Sequence, residues 1–405
     1  MSNWFKEHID FGILAIVALL LSIGILSVYS ATYDAGASIY FHRQLTWIGI
    51  GVLVMLSIMV LPYRTLQLVS FPLYGLSLLI LLGVLVAGKT VAGSKAWFGL
   101  HGYGLQPSEI VKMTTVLALA SFLSQRNISL HRIKNVLAAF GIVMAPVVLI
   151  ILQPDMGTAF TYLGAFLPIL YWAGATNFLV VALLAPAAAA VAALLGTTTF
   201  VVVIATTFII LFLLRENRFF SALVFSLTVL VGVSVQFIFG KLAPYQQKRI
   251  FTFINPDADP LGAGYNVLQS KIAIGSGGMF GKGYLQGSQT QLNFIPAQWT
   301  DFIYCVPSEE FGFLGAFLII VLFTLLLYRG VRLASIVKSS YASLVAIGVV
   351  SLFAVHIVIN IGMAMGMMPV IGVPLPFMSY GGSNLLTNMA MIGLLLNIHA
   401  NRKEY

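Results

Sequence analysis

Residues that could bind an anion and move a proton are concentrated in one polar loop, residues 241–300, which is rich in Gly, Pro, Gln and Ser. Its basic side chains are Lys241, Lys248, Arg249, Lys271 and Lys282. Such cations suit an anionic ligand, and Arg249 ranks first because its planar fork matches phosphate oxygens in pairs. The alternative for Lys248 and Arg249 is an anchor that reaches lipid head groups from the end of a helix.

Two carboxylates in the same loop, Asp257 and Asp259, belong to the segment PDADP. A carboxylate can act as a general base, and partial burial would raise its pKa from about 4 and strengthen it. Aspartate before proline is equally typical of a turn, so both interpretations stay open on these residues alone. The glycine-rich stretch 275–283 predicts backbone N–H groups that approach a ligand closely, as in anion-binding nests.

The chain as a whole has the composition of a membrane protein. Of 405 residues, 60% are hydrophobic and 8% are charged, whereas a soluble domain carries about 25% charged residues. Continuous apolar runs such as GILAIVALLLSIGIL favour helices over barrel strands, which alternate apolar and polar residues. We expect an all-α polytopic membrane protein with about 10–12 transmembrane helices in a single domain, residues 1–405. Cys305 cannot form an intrachain disulfide and is expected to be a small buried side chain, and His356 is expected to be a packing or interfacial residue.

The predicted spans follow the apolar runs, and an extra helix pair is expected within residues 178–218. The runs are 11–31, 44–62, 70–89, 107–124, 136–153, 157–174, 178–196, 198–214, 219–240, 306–328, 341–363 and 383–399. With an inside amino terminus, the inside loops hold most of the 21 basic residues. Because Lys and Arg in short loops set orientation, both termini are predicted to be cytoplasmic and the loop 241–300 extracytoplasmic. Topology thus explains the net charge of +9 without nucleic acid.

Acidic residues are few and lie mostly at predicted outer helix ends, which indicates a polar cavity open to the outside. Glu109 and Lys112 are three residues apart on one helical face and could form an ion pair. Glu309 and Glu310 are predicted to begin the tenth span, where carboxylates suit a helix amino terminus. Asp155, Glu109 or Glu310 could hold a divalent cation, Mg²⁺ or Mn²⁺, although no ligand spacing demands one.

Short motifs are spread over almost the whole chain. They are WFGL from Trp97, QPSEIVK from Gln106, QPDMGT from Gln153, PDADPLGAGYNVLQS from Pro256, AIGSGG from Ala273, GKG from Gly281, TDFI from Thr300, EEFG from Glu309 and PLPFMSYGGS from Pro374. In these motifs and their order the chain resembles the SEDS family of shape, elongation, division and sporulation proteins, and its RodA-like members more than its FtsW-like members. Family members typically have ten spans, so the extra helix pair is a departure.

The resemblance implies a peptidoglycan glycosyltransferase that polymerises lipid II outside the cytoplasmic membrane during cell elongation. It implies a class B penicillin-binding protein and elongation-complex membrane proteins as partners. Asp259 matches the family's catalytic aspartate and would deprotonate the acceptor hydroxyl in an inverting reaction. Residues expected to bind the substrate or its diphosphate are Arg249, Lys248, Lys271, Lys112, Trp97, Gln106, Glu109, Gln269, Ser270, Ser379 and Tyr380. Asp155, Asp257, Glu309 and Glu310 are expected to support them.

Two other functions stay open. A transporter that flips lipid-linked sugars predicts polar residues at mid-helix and on both faces, whereas the acidic residues here gather on one side. A non-catalytic scaffold that only activates the penicillin-binding protein predicts that Asp259 is dispensable. Aromatic side chains such as Trp299 and Tyr380 could stack on sugar rings, but interfacial aromatics are common in any membrane protein.

Overall fold

The structure is a computed structural model that describes residues 9–33, 38–91, 93–100, 103–214, 217–242, 247 and 264–402. Each apolar run that the sequence predicts as a span is largely helical, and the run 306–328 is interrupted at Phe311. The long helices are α1 (Phe11–Ala31), α2 (Ser38–Val60), α3 (Tyr63–Ala87), α4 (Pro107–Leu123), α5 (Ile133–Ile151), α6 (Met156–Trp172), α7 (Asn177–Leu195), α8 (Thr197–Leu213), α9 (Arg218–Lys241), α13 (Gly312–Ile336), α14 (Ser340–Ala364) and α15 (Gly382–Ala400). The shorter helices are α10 (Tyr265–Ser276), α11 (Ser288–Gln291) and α12 (Cys305–Glu310).

Within the described residues, eight of these helices are long and apolar enough to cross a membrane. Helices α4, α6 and α8 have 17 residues each, slightly fewer than the roughly 20 of a full span. Helix α15 carries interior asparagines, and Asn397 donates to the carbonyl oxygens of Ile58, Met59 and Leu61 at 2.6–3.1 Å. Those bonds satisfy carbonyl groups at the end of α2. The prediction of a mostly helical, multi-pass membrane protein is confirmed.

Polar side chains mark several helix starts. The side chains of Asp10, Thr176, Asn217 and Ser339 accept hydrogen bonds from backbone N–H groups in the first turns of α1, α7, α9 and α14. Each cap satisfies a donor that has no partner within its own helix. Gly196 separates α7 from α8. Its φ of 139° is a backbone conformation that residues with a Cβ atom rarely adopt, so glycine suits this position. These two helices occupy the stretch where an extra pair is predicted.

The chain divides into two compact units, residues 170–265 and the remainder. In the larger unit, α14 and α15 are largely enclosed by protein, and most of their side chains are buried. In the smaller unit, α7 packs against α9. Buried residues of α7 include Ala185, Ala189 and Ala192. Small side chains let membrane helices approach closely, so this alanine face explains the contact.

A small antiparallel sheet between α3 and α4 was not predicted from the sequence. Its strands are β1 (Lys89–Val91), β2 (Ser94–Leu100) and β3 (Tyr103–Leu105), in the order β1-β2-β3. Gly99 pairs with Gly104 across β2 and β3. The half-exposed ring of Trp97 covers Gly104, where a Cβ atom would lie 2.9 Å from the ring. The sheet thereby positions the WFGL motif immediately before α4.

Candidate active site

Four residues predicted to carry or support the chemistry lie outside the described residues. They are Asp257, Asp259, Lys248 and Arg249. Their roles stay predictions. The described part of the long loop, residues 264–304, continues into α12 and then α13.

Three sequence-distant motifs meet at one polar junction. The Gln106 side-chain amide donates to Asp155 Oδ2 at 2.8 Å. The Gln106 backbone N–H donates to Ser383 Oγ, also at 2.8 Å. Asp155 further accepts from the Thr158 N–H at 3.1 Å and from the Thr158 hydroxyl at 2.8 Å, which caps the start of α6. The motifs QPSE, QPDMGT and SYGGS therefore form one site, with Ser383 as a member that the sequence did not assign.

On α4, Glu109 and Lys112 form the predicted ion pair, with 2.7 Å between Nζ and Oε1. Both side chains are at most 5% exposed. Lys112 Nζ also lies 3.0 Å from His356 Nε2, and the other ring nitrogen of His356 lies 3.1 Å from the Pro374 carbonyl oxygen. The pair is confirmed, while His356 is a polar partner and not a mere packing residue. In this arrangement Lys112 is enclosed among protein groups and is not presented to a diphosphate.

Helix α10 presents its three predicted site residues in different directions. Ser270 is fully buried, and its hydroxyl donates to the Ala364 carbonyl at 2.5 Å and lies 2.8 Å from Cys305 Sγ. Gln269 is half-buried, and Lys271 is exposed. Ser270 thus fastens α10 to α14. Cys305 is a buried free thiol, as predicted.

The SYGGS motif is tied to the end of the long loop. Ser379 Oγ donates to the Thr300 carbonyl at 2.6 Å and accepts from the Leu375 N–H at 2.8 Å. The Tyr380 N–H donates to the Trp299 carbonyl at 2.9 Å. These bonds account for the buried Ser379 hydroxyl, which therefore positions backbone segments and is not free to attack a substrate.

Three half-exposed aromatic rings cluster beside this contact. Tyr40 lies 5.5 Å from Trp299 and 5.3 Å from Tyr380, measured between ring centroids. Its ring is nearly perpendicular to that of Tyr380, a favourable edge-to-face arrangement. The predicted sugar-stacking residues Trp299 and Tyr380 therefore belong to one cluster, which gains Tyr40 from α2.

Asp301, in the TDFI motif, was given no role from the sequence. Its backbone carbonyl accepts from Asn360 Nδ2 at 2.8 Å, which fixes it against α14. Among the described residues no Lys, Arg or His forms a salt bridge with its carboxyl group. Burial raises the pKa of Asp301, although a hydrogen bond from Thr300 opposes the rise.

Glu309 organises the loop between α10 and α12. Its buried carboxylate accepts from Lys282 Nζ at 2.7 Å and from the Gln289 N–H at 3.0 Å. It also accepts from the Thr290 N–H at 3.0 Å and the Thr290 hydroxyl at 2.8 Å. Burial alone would raise the pKa of Glu309, but these donors outweigh it and hold the pKa below its ordinary value.

Glu310 points toward α1, and the pKa of its carboxyl group is shifted in the opposite direction from that of Glu309. Its carboxyl group accepts from the Ser30 hydroxyl and from the Leu285 N–H. Burial raises the pKa of Glu310, and the nearby charge of Glu309 adds to the rise. The prediction that both glutamates begin the tenth span is wrong: they end α12, and α13 begins at Gly312, whose φ of 64° breaks the helix.

Part of the glycine-rich stretch packs against another segment of the chain, and the prediction of an anion nest stays a prediction. The N–H groups of Lys282 and Gly283 donate to the carbonyl oxygens of Glu309 and Glu310 at 3.1 and 3.0 Å. A Cβ atom on Gly281 would lie 2.0 Å from the Glu310 carbonyl oxygen. Glycine is therefore required there for close contact between two chain segments.

The residues considered for a divalent cation do not converge. Within the described part of the chain, no group of three or more His, Cys, Asp or Glu side chains could hold a metal ion. Glu109 pairs with Lys112, Asp155 caps α6, and Glu310 bonds to the loop. These three carboxylates do not fit a shared metal site.

Comparisons with known proteins agree along the whole chain. Stage V sporulation protein E of Bacillus subtilis is 37% identical over 405 residues, covering 97% of each chain. The peptidoglycan glycosyltransferase RodA of Treponema pallidum is 34% identical, covering 97% of this chain and 98% of its own. A solved structure described as coordinating polymerization and crosslinking by a peptidoglycan synthase complex matches with a TM-score of 0.76 and 29% identity, covering 98% and 99% of the two chains.

The sequence model of the FtsW/RodA/SpoVE family, described as cell cycle proteins, matches residues 11–199 and 178–404. Together these two matches extend over nearly all of the chain, including the motifs that form the polar junction. The protein therefore belongs to the FtsW/RodA/SpoVE family, the SEDS proteins.

Proposed function

We propose that this protein is a peptidoglycan glycosyltransferase that polymerises lipid II into glycan strands during cell elongation. The observation that carries the proposal is the full-length similarity to a relative named peptidoglycan glycosyltransferase RodA. A relative of comparable identity is a sporulation protein. The elongation role therefore rests on the RodA-like motifs of the loop and has its own test below.

The reaction joins the 4-hydroxyl of an acceptor GlcNAc to the anomeric carbon of the donor sugar while the lipid diphosphate departs. Asp259 takes the hydroxyl proton as the new bond forms, a step that contributes about 10²–10⁴-fold to the rate. Attack opposite the departing group inverts the anomeric centre, so an α-linked donor gives a β-linked strand.

Cationic side chains stabilise the departing diphosphate. Arg249, Lys248 and Lys271 supply the positive charge, and of these the described Lys271 is exposed on α10. Charge-assisted hydrogen bonds to phosphate strengthen near a low-dielectric membrane boundary. Lys112 has a structural role instead, because its partners Glu109 and His356 already enclose it.

The described motifs support this chemistry by positioning it. Gln106 joins Asp155 to Ser383, and Ser379 joins the final motif to the end of the loop. The aromatic cluster around Trp299 offers a stacking surface for the sugars. We place this site on the extracytoplasmic face of the bacterial inner membrane, with both termini in the cytoplasm and a class B penicillin-binding protein as partner.

The decisive experiment incubates the purified protein and its penicillin-binding partner with lipid II, while cross-linking is blocked. Wild type is expected to make long strands and Asp259→Asn essentially none. The matched control is Asp10→Asn, the same chemical change at a helix cap that pairs with Arg329. Asparagine caps helices as well as aspartate, so this control should keep full activity.

Other outcomes would replace the proposal. Equal strand synthesis by wild type and Asp259→Asn would remove Asp259 as the base. No synthesis, combined with movement of lipid-linked sugar across vesicle membranes, would identify a transporter. No synthesis with faster cross-linking by the partner would identify a scaffold. Failure to restore rod shape in cells depleted of their elongation polymerase would contradict the elongation role.

A further inference from the structure

Helices α8 and α9 leave between them an apolar groove that the proposed reaction does not use. One part has a volume of about 540 Å³, and its lining includes Phe208, Phe212, Phe225, Arg218, Ser221 and Ala222. A second part of about 470 Å³ continues along the same helices to Val229 and is lined only by apolar side chains. Both parts belong entirely to the smaller unit.

The groove has the length of the lipid tails in one leaflet. Helix α9 rises ~1.5 Å per residue, so the stretch from Arg218 to Val229 is roughly 16 Å long. Half of a bilayer's hydrocarbon core is about 15 Å. Beyond Val229 the ring of Phe200 lies against Gly232, where a Cβ atom would come within 2.1 Å of it, so the groove ends there.

The polar groups of the groove lie at one end only. Arg218 and Ser221 are three residues apart on α9 and therefore share a helical face. Arg218 is exposed, and none of the acidic residues described forms a salt bridge with it. The Ser221 hydroxyl is buried yet has no hydrogen-bond partner in the described part of the chain.

An unpaired buried hydroxyl is unfavourable, and helical serines commonly relieve that cost by bonding to the carbonyl four residues earlier. Ser221 does not. A phosphate oxygen held by the Arg218 guanidinium would supply the missing acceptor. The phenylalanine-lined remainder of the groove has no polar group to offer, so it suits hydrocarbon.

We infer that the groove between α8 and α9 binds one anionic diacyl phospholipid, with its phosphate at Arg218 and Ser221 and its tails along the phenylalanine side chains. An anionic head group fits better than a zwitterionic one because Arg218, the charged residue among those that line this end of the groove, is positive. Arg218 lies on the predicted cytoplasmic side, so the lipid comes from the inner leaflet.

Native mass spectrometry of the full-length protein in detergent tests this inference independently of catalysis. Titration with phosphatidylglycerol should give one tightly bound lipid on wild type. Arg218→Gln should weaken binding about tenfold, the loss expected for one charge-assisted contact. Ala222→Trp should abolish it by filling the groove. Arg332→Gln removes an exposed arginine from α13, outside the groove, and should bind like wild type.

The inference is overturned by equal binding to wild type and Arg218→Gln, or by equal binding of phosphatidylethanolamine. It is also overturned if a polyprenyl phosphate competes more strongly than phosphatidylglycerol. Arg218 is exposed, so its substitution should leave the thermal midpoint without added lipid unchanged. Arg218→Gln therefore decides the outcome even if Ala222→Trp fails to fold.

Discussion

Substitution of the two adjacent glutamates by glutamine should give opposite results. Glu309→Gln removes a negative charge that four donors approach at 2.7–3.0 Å. The side-chain oxygen of glutamine can accept from the two donors at one of the former carboxylate oxygens. Its NH₂ group, which is itself a donor, then faces the two donors at the other position. Two hydrogen bonds are then lost in a buried site, which should cost about 2–4 kcal/mol. Glu310→Gln should cost under about 1 kcal/mol, because glutamine resembles the neutral acid that burial favours at Glu310.

The measurements are thermal unfolding in detergent and hydrogen exchange of the segment 282–291. Glu309→Gln should lower the midpoint and speed exchange there, and Glu310→Gln should do neither. The double substitution with Lys282→Met should recover part of the loss, because the lysine then leaves no unpaired charge. Equal midpoints and exchange rates for wild type and Glu309→Gln would refute the assigned role of this carboxylate.

The two glutamates should also differ in pH dependence. The folded pKa of Glu309 is below its ordinary value, so its stabilising effect is present above the unfolded pKa and is lost as pH falls through the folded pKa. The folded pKa of Glu310 is raised, so its ionisation destabilises the protein as pH rises from the unfolded toward the folded pKa. Unfolding midpoints should be measured across pH for each variant. Glu309→Gln should lose the dependence due to Glu309 and keep that due to Glu310, and Glu310→Gln should do the reverse.

Three further predictions concern packing and buried charge. Gly281→Ala should destabilise the protein strongly because its Cβ would meet a backbone oxygen at 2.0 Å, whereas Gly275→Ala, with open space around it, should not; equal melting would contradict this. Lys112→Met should cost about 3–5 kcal/mol by leaving Glu109 buried and unpaired, and adding Glu109→Gln should restore much of it in thermal melts. Asp301→Asn should raise stability at pH 7, because ionisation of the buried carboxyl group is unfavourable, and should remove the stability that wild type gains as pH falls through the raised pKa of this group; an unchanged pH profile would count against it.

The sequence alone predicted those features that depend on short stretches of chain. Continuous apolar runs specify helices, because backbone groups in a membrane must be satisfied within their own segment. The pair of Glu109 and Lys112 was predictable because three residues bring two side chains onto one helical face. The motifs likewise indicated the family before any contact was known.

Tertiary structure decided which distant residues meet. Gln106 and Ser383 are separated by 277 residues, and Lys112 and His356 by 244. No local periodicity relates such positions, so neither the polar junction nor the contact of His356 with Lys112 could be predicted. The close packing of Gly277 and Gly281 could not be predicted for the same reason. Glycine permits close approach to a ligand or to another chain segment, and only packing against residues 308–312 distinguishes the two.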